Sequence, residues 1–258
     1  MLIPVTAADL PDFTAACAHE HVFGSRMITA LRAYGLGNPD VRFFLCRKGR
    51  EPAAALHLAG GVLTIAADER ADPAPIADLI RANEVHEVDT NWPQCTALQA
   101  MLGGVTESSY YMVYRGGLVE ETFDNMRPGD PRTVFEVLQR SHEYYRTHFV
   151  FAQWFSDWEQ RLSRGLSEIY QLEHNGEVVG TGSILSSDDT CAVIGAVAVV
   201  PEHRHQGLGS YISRFLVQRI QTMGKTPRLI SGYDEVAELY RQMGFAPCGR
   251  WGELYLNS

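Results

Sequence analysis

The chain has 258 residues, of which 45% are hydrophobic, 21% charged and 10% aromatic, and its formal net charge at pH 7 is −9. These proportions predict a globular protein with enough chain for two domains of ordinary size. The negative charge argues against sequence-independent binding to nucleic acid or to an anionic membrane surface, and it favours a cationic or amine-bearing partner.

The five cysteines are scattered, and they form no CxxC pair or Cys/His cluster with the spacing of metal ligands. We therefore expect reduced core thiols in a cytoplasmic protein and no metal centre. The first residues lack a basic start followed by an apolar run, so no signal peptide is expected. The longest apolar stretch, Ala192–Val200, is too short to span a bilayer and predicts a buried strand instead.

The first half of the chain is predicted to contain the strands Val41–Cys46 and Ala53–Leu58, which flank Lys48-Gly49. Four more elements and then a final strand pair follow in order. They are a strand, a helix, a strand and a short helix that ends in glycine: Val62–Ala67, Pro75–Arg81, Glu84–Asp89 and Thr96–Leu102.

The polar segment Glu120–Arg132 divides the chain nearly in half, and its Pro128, Gly129 and Pro131 break regular structure. We therefore predict two domains, residues 1–125 and 131–258. The second half repeats the order of the first and also ends in a strand pair. Its predicted elements are Ile169–Leu172, Val178–Leu185 across the hairpin turn Asn175-Gly176, Val193–Val200, the helix Leu208–Met223, Arg228–Ser231 and the helix Glu235–Met243.

The loop Arg204-His205-Gln206-Gly207-Leu208-Gly209 joins a predicted strand to a predicted amphipathic helix that ends near Gly224. Backbone N–H groups at a helix N-terminus have no partner within the helix, and with the helix dipole they bind anions. The two glycines remove side chains that would keep a pyrophosphate from the backbone. The spacing fits neither a P-loop nor G-x-G-x-x-G, since Gly180-Thr181-Gly182 lacks a third glycine and lies within a predicted strand.

The stretch from Val197 to Gly209 resembles the acetyl-CoA signature of the GNAT superfamily (Gcn5-related N-acetyltransferases), a strand followed by [RQ]-x-x-G-x-[GA]. Leu239-Tyr240-Arg241-Gln242-Met243-Gly244-Phe245 is similar to the LY-x-x-x-GF ending of that fold. The resemblance covers 132–258, and it covers the first half only as a degenerate copy. It implies an α+β protein with a mixed sheet, which has the GNAT acyl-CoA N-acyltransferase fold in the second half and a degenerate GNAT-like first half.

The same resemblance implies acetyl-CoA as the co-substrate, bound without a metal. The pantetheine arm would pair with Val197, Ala198 and Val199, and a backbone N–H near Ala198 or Val199 would stabilise the oxyanion. The pyrophosphate would bind the loop and first helical turn, with Arg204 at its edge. Tyr240 would protonate the departing thiolate. The implied donor-binding residues are thus Val197, Ala198, Val199, Arg204, His205, Gln206, Gly207, Leu208, Gly209 and Ser210.

Several of these residues also have structural interpretations. Tyr240 lies on an apolar helical stripe, so a core tyrosine with a satisfied hydroxyl is the alternative to a general acid. Tyr233 stands where related sequences often carry Asn, seven residues before the tyrosine. His203 and His205 fit exposed loop histidines near phosphate, and Ser210 fits a helix cap or a phosphate contact.

The stretch from Tyr144 to Trp158 is dense in aromatic residues, which would either border the acceptor pocket or pack a helical pair. The general base is not identified by any motif. Chemistry alone leaves five carboxylates and a water relay open, the carboxylates being Asp157, Glu159, Glu168, Glu173 and Asp234.

The repeat places the segment Asp68–Pro75 where a pyrophosphate loop would stand in the first half. Its two prolines lack N–H donors, and its three carboxylates would repel phosphate. The first half is therefore predicted not to bind CoA, and instead to complete the acceptor cleft or to support a homodimer.

The leading hypothesis is an N-acetyltransferase that moves an acetyl group from acetyl-CoA to a primary amine of a small molecule or a peptide. The rival is a non-catalytic acyl-CoA sensor or interaction protein that retains the fold.

Overall fold

The computed structural model describes residues 1–232 and 234–256, and the chain forms two compact units. The first unit comprises Met1–Met112, Ile230–Asp234 and Pro247–Ser258. The second comprises Val113–Leu229 and Glu235–Ala246. The chain thus returns to the first unit for its last strand.

The elements of the first half follow in chain order. They are β1 (Leu2–Pro4), α1 (Leu10–Cys17), α2 (His21–Tyr34), β2 (Val41–Lys48), β3 (Glu51–Ala59), β4 (Val62–Ala67), α3 (Pro73–Arg81), β5 (Glu87–Asn91), α4 (Trp92–Leu102) and β6 (Val105–Tyr114).

The elements of the second half have a similar order. They are β7 (Met126–Pro128), α5 (Pro131–Ser141), α6 (Glu143–His148), α7 (Phe151–Ser163), β8 (Glu168–His174), β9 (Glu177–Ser187), β10 (Cys191–Val199), α8 (Leu208–Thr222), β11 (Thr226–Ile230), α9 (Asp234–Gln242) and β12 (Phe245–Tyr255).

The sheet of the first unit has the order β1-β2-β3-β4-β5-β12-β6. Its β4–β5 pair is parallel, and β5 pairs antiparallel with β12, with Glu253 opposite Asp89. The core includes apolar side chains from the strands and from α3 and α4, all of them fully buried: Leu56, Leu63, Ile65, Ile76 and Leu98. Burial of these side chains is the main force that holds the unit together.

The sheet of the second unit has the order β11-β10-β9-β8-β7, in which β10–β11 is parallel and the other pairs are antiparallel. Helix α8 lies close to β9 because two positions there lack side chains. A Cβ on Gly180 would come within 2.9 Å of Ile212, and one on Gly182 within 2.5 Å of it. These glycines therefore serve helix packing, and they lie within a strand as predicted.

Several predicted features are confirmed. Asn175 and Gly176 both have positive φ, as a type I′ hairpin turn requires. Gly224 and Gly244, which follow α8 and α9, also have positive φ, so each helix ends where a glycine permits the left-handed conformation.

Other boundaries differ from the prediction. Strand β5 begins at Glu87, three residues later than expected, because a turn with a Val85 N–H to Asn83 O bond of 2.8 Å precedes it. Helix α4 begins four residues earlier than Thr96, since the Asn91 side chain accepts a bond from the Gln94 N–H at 3.0 Å. Pro93 in the first turn of α4 strengthens this start.

The dividing segment contains more regular structure than its prolines suggest. Strand β7 lies within it, and helix α5 begins at Pro131. The Asp130 carboxylate caps α5 by accepting the Thr133 N–H at 2.9 Å, and a proline in the first helical position loses no helical hydrogen bond. The proline therefore starts a helix here. Among the described residues, no helix combines the length and apolarity that a membrane span requires.

Candidate functional site

The site begins at an irregularity in β10. The parallel register with β11 runs from Cys191 to Ile194, and the register with β9 breaks between Gly195 and Ala198. Ala196 has φ +48°, an uncommon conformation for a residue with a side chain and one that a β-bulge accommodates. Beyond Ile194, β10 therefore turns away from the β11 register, and its β11-facing edge is open to another extended chain.

The loop after β10 ends in a set of unpaired donors. His205 and Gly207 have φ values of +60° and +76°, and the first helical bond of α8 runs from the Tyr211 N–H to the Gly207 carbonyl at 3.0 Å. Within the described part of the chain, the N–H groups of Leu208, Gly209 and Ser210 have no protein acceptor. These donors point along the positive end of the α8 dipole, which makes an anion site.

The glycines of this loop leave space that the protein itself does not fill. A Cβ built on Gly207 or on Gly209 would meet nothing within 4 Å. Gly207 needs its left-handed φ, but Gly209 has an ordinary backbone. Folding does not explain a glycine at 209, whereas close approach of a ligand to the backbone does.

A cavity of about 500 Å³ connects the end of β10 with this helix N-terminus. Of the ten predicted donor-binding residues, every one except the exposed Gln206 lines it. The wall residues are Ser141, His142, Val197, Ala198, Val199, His203, Arg204, His205, Gly207, Leu208, Gly209, Ser210, Val236 and Leu239.

Four wall residues were missed by sequence reasoning. Ser141 and His142 come from the end of α5, and the Ser141 hydroxyl is buried with no protein partner among the described residues. Val236 and Leu239 belong to the apolar stripe of α9, yet they are 37% and 42% exposed. Large exposed apolar side chains beside an anion site suit a ligand that is charged at one end and apolar along its length.

Arg204 lines the cavity, but its guanidinium is directed at the backbone. Its Nε donates to the Val199 carbonyl at 3.1 Å, and one terminal nitrogen donates to the Ser141 carbonyl at 2.5 Å. The side chain thereby joins the end of β10 to the end of α5.

The two loop histidines lie as loop residues would, whereas the serine does not cap α8, whose N-cap is Gly207 without a side-chain cap bond. His203 packs edge-on against His174 with ring centroids 5.7 Å apart, and His205 is exposed. Ser210 stands in the first turn of α8 and lines the cavity. Tyr233 lies outside the described residues.

Tyr240 is 9% exposed, and its hydroxyl hydrogen-bonds to Ser213, whose own hydroxyl donates to the Gly209 carbonyl at 2.9 Å. Burial raises the pKa of Tyr240 above its usual 10.0, so the hydroxyl keeps its proton at neutral pH. Tyr240 follows the wall residue Val236 by one helical turn, but it does not itself line the cavity. Its role as a general acid stays a prediction.

The five candidate bases lie away from the cavity wall, which contains no carboxylate among the described residues. Asp157 pairs with Arg161, and Glu168 pairs with Arg219 at 2.8 Å. The lining of the cavity therefore identifies none of these five carboxylates as a base.

The aromatic helices divide into a core and a rim. Trp154 and Trp158 are each 5% exposed and pack with Ala196 and Ala198 in one cluster, as the packing interpretation predicts. Tyr144 is 44% exposed, and its ring and that of Tyr145 lie 6.5 and 6.3 Å from the ring of the wall residue His142. These two tyrosines, the rim, thus lie next to the wall residue His142 without lining the cavity themselves, and Tyr145 also packs against the aromatic core.

The corresponding region of the first unit is filled by its own side chains. The Asp72 carboxylate accepts the Ala74 N–H at 3.0 Å and so occupies the N-terminus of α3. The Asn91 side chain donates to the Ala67 carbonyl at 2.8 Å at the end of β4. Both features support the prediction that this half does not bind CoA.

One group of carboxylates in the first unit has the proximity of metal ligands. Oxygen atoms of Glu87, Asp89 and Glu253 lie within 4.8 Å of one another. Burial and the nearby Asp89 charge raise the pKa of Glu253 to about 8, so a proton shared with Glu87 relieves the repulsion at neutral pH. Arg26 pairs with Asp89 at 3.1 Å. The negative charge of the cluster is thus offset by the shared proton and by Arg26.

The model of the Acetyltransferase (GNAT) family matches residues 132–245. A solved GCN5-related N-acetyltransferase from Kribbella flavida is 16% identical, with a TM-score of 0.62 over 91% of this chain and 96% of its own. A GNAT-family acetyltransferase from Colwellia psychrerythraea is 15% identical, with a TM-score of 0.63 and full coverage of both chains.

The two-part arrangement also has a counterpart. A tandem GNAT protein from the clavulanic acid biosynthesis pathway is 15% identical, with a TM-score of 0.60 over 100% of this chain and 99% of its own. Residues 132–245 therefore match the Acetyltransferase (GNAT) family, and the chain as a whole shares its fold with these solved structures. The predicted fold class is confirmed, with the GNAT fold in the second half and a GNAT-like first half.

Proposed function

We propose that the protein is an N-acetyltransferase that transfers the acetyl group of acetyl-CoA directly to a primary amine of a small molecule or peptide. The proposal is carried by the unfilled anion site at the N-terminus of α8, formed by the N–H groups of Leu208, Gly209 and Ser210 and called the cradle below. It combines unpaired N–H groups, a glycine at 209 that packing does not require, and a cavity that leads to the open edge of β10. These features match a substrate with a pyrophosphate at one end and an extended arm.

The proposed chemistry needs no covalent enzyme intermediate. The pantetheine arm adds to the edge of β10 at residues 197–199, and the pyrophosphate accepts bonds from N–H groups of residues 205–210. The amine nitrogen attacks the thioester carbonyl, and a β10 N–H near Ala198 or Val199 stabilises the oxyanion. The C–S bond then breaks, water removes the amine proton, and Tyr240 protonates the thiolate.

The rim of aromatic side chains supports an acceptor whose amine is carried on an aromatic or extended apolar group. The exposed Tyr144 ring lies next to the wall residue His142, and such rings attract both apolar surfaces and ammonium groups. We expect arylalkylamines and peptides with an aromatic residue beside the amine to be acetylated faster than polyhydroxylated amines.

The test is a panel of primary amines assayed with acetyl-CoA and followed by release of free thiol. Tyr144→Ala should lower kcat/KM for the aromatic amines about tenfold, the effect of losing one aromatic contact. Its control is Tyr255→Ala, which removes a partly exposed tyrosine from the other unit. Equal rates for aromatic and polyhydroxylated amines would contradict the aromatic preference.

The second candidate is an acyl-CoA sensor without catalysis. It is favoured by one observation, that the Tyr240 hydroxyl is buried against Ser213 while the described residues of the cavity wall include no carboxylate. Tight binding of acetyl-CoA together with no transfer across the panel would support the sensor and contradict the transferase.

The divergence of the two halves predicts one donor site per chain. Asp72 occupies the N-terminus of α3, and Pro73 and Pro75 remove donors there. Isothermal titration should give one acetyl-CoA bound per chain. A stoichiometry near two would contradict the assignment of the donor site to the second half alone.

The remaining proposals concern organisation. We propose two copies of one fold at residues 1–125 and 131–258, and a cytoplasmic location, which the five free cysteines favour. The first half is proposed to serve the acceptor cleft or a homodimer. Sedimentation of the purified chain would distinguish a monomer from a dimer.

A further inference from the structure

We infer that Arg204 is a positioning residue that joins the donor loop to the acceptor-side segment, and that it acts through its hydrogen bonds to the backbone rather than through charge at the pyrophosphate. The inference rests on the proposed function for its kinetic test, but its structural test needs no substrate.

The first observation is the direction of the guanidinium. Arg204 donates to the carbonyls of Val199 and Ser141 at 3.1 and 2.5 Å, and Ser141 lies 63 residues earlier in the chain. A guanidinium presents its donors in a planar fork, so one side chain can hold two separate backbone segments in a defined relation. Val199 is the end of the strand that would carry the pantetheine arm, and Ser141 is the end of α5.

The second observation is the position of the Ser141 carbonyl. The Ser141 carbonyl is in the last turn of α5, where carbonyls have no helical partner and carry the negative end of the dipole. A cation at that position caps the helix. The next residue, His142, caps the following helix α6 by accepting the Tyr144 N–H at 3.3 Å. Arg204 thus fixes the point from which the aromatic rim begins.

The third observation is a second contact between the same two segments, which differs in kind from the bonds of Arg204. Arg140 and Glu202 form an ion pair at 3.5 Å, with side chains 56% and 66% exposed. An exposed ion pair of this kind contributes little, because water screens it. Mutation of Arg140 therefore removes one positive charge from the same region, and it leaves the bonds from Arg204 to Val199 and Ser141 in place. Arg140→Ala is the matched control for Arg204→Ala.

The structural test is hydrogen exchange on the ligand-free protein. Arg204→Ala should speed amide exchange about tenfold in peptides covering residues 137–147, which include the His142 N–H bonded to the Leu138 carbonyl at 2.9 Å. Arg140→Ala should leave these peptides unchanged. Exchange unaffected by Arg204→Ala would overturn the inference, since a residue that only contacts phosphate does nothing before the ligand binds.

The kinetic test compares acetyl-CoA with S-acetylpantetheine, which lacks the pyrophosphate. Arg204→Ala should lower kcat/KM about tenfold for both donors and leave their ratio within twofold of the wild-type ratio. A loss confined to acetyl-CoA would overturn the inference and assign Arg204 to the phosphate.

Arg204→Gln separates hydrogen bonding from charge, because it keeps an N–H donor that can reach one carbonyl but carries no charge. It should recover part of the activity that Arg204→Ala loses. Activity as low as that of Arg204→Ala would contradict the inference and show that the charge of Arg204 is what matters. If the wild-type enzyme transfers acetyl to no amine, the proposed function fails while the exchange experiment still decides the role of Arg204.

Discussion

Gly207→Asp should abolish the binding of acetyl-CoA and leave the protein folded. The new carboxylate would stand at the N-terminus of α8, where it would compete with the pyrophosphate for the same N–H groups. Two unit charges 4 Å apart repel by about 4 kcal/mol at an effective dielectric of 20. This corresponds to a loss of affinity of roughly a thousandfold. Isothermal titration with acetyl-CoA measures it.

The fold should survive this substitution for two reasons. A Cβ at 207 meets nothing within 4 Å, and Asp is among the residues that tolerate the left-handed φ found there. The first unit already contains an acidic residue in the same position, because Asp72 precedes α3 as Gly207 precedes α8.

Gly207→Asn is the control, since it has the same shape without the charge. It should reduce acetyl-CoA affinity far less than Asp while giving a similar melting temperature. Equal losses from Asn and Asp would show that bulk, rather than charge, excludes the ligand. Unchanged binding in Gly207→Asp would remove this loop from the donor site.

Tyr240→Phe should lower kcat about 10²-fold, the low end for the loss of a general acid. The phenyl ring keeps the edge-on packing against Phe245, whose ring centroid lies 5.5 Å away. The variant loses the hydrogen bond to Ser213, which costs about 1 kcal/mol of stability. Steady-state rates and thermal melts on the same preparation should therefore show a large fall in kcat together with a small fall in melting temperature.

The pH profile provides a second measurement. Burial raises the folded-state pKa of Tyr240 above 10.0, so the acid form persists to a higher pH than in a free tyrosine. Activity that depends on the protonated hydroxyl should be lost only as the pH rises through that raised value, so the alkaline decline should be centred above the pKa of a free tyrosine. Unchanged turnover in Tyr240→Phe would exclude Tyr240 from the mechanism and leave it a core residue bonded to Ser213.

Local signals account for the parts of the site that were predicted. The strand, loop and helix from Val197 to Ser210 are contiguous, so glycine spacing and apolar periodicity were sufficient to place the cradle. Ser141 and His142 were not predicted, because they reach the cavity from α5 and no sequence pattern links them to the loop. The direction of the Arg204 side chain was likewise beyond sequence reasoning, since a basic residue beside an anion site suggests phosphate contact.

The fold shows a similar division. The hairpin at Asn175-Gly176 and the glycine-terminated helices follow from local rules, whereas the position of β12 between β5 and β6 does not. The capped start of α4 was missed although its signal, Asn91 followed by Pro93, is present in the sequence. Strand β7 was missed because three residues beside prolines carry no periodicity to read.

The return of the last strand to the first unit has a practical consequence for dissection of the protein. Residues 247–258 belong to the unit that contains the N-terminus, and β12 pairs with β5 from Trp251 to Tyr255. A fragment that ends before residue 120 would thus lack a strand beside β5 and expose its unpaired edge, a template for aggregation. Truncation within β12 would likewise disturb the first unit. Residues 1–112 and β12 therefore have to be expressed together for that unit to be complete.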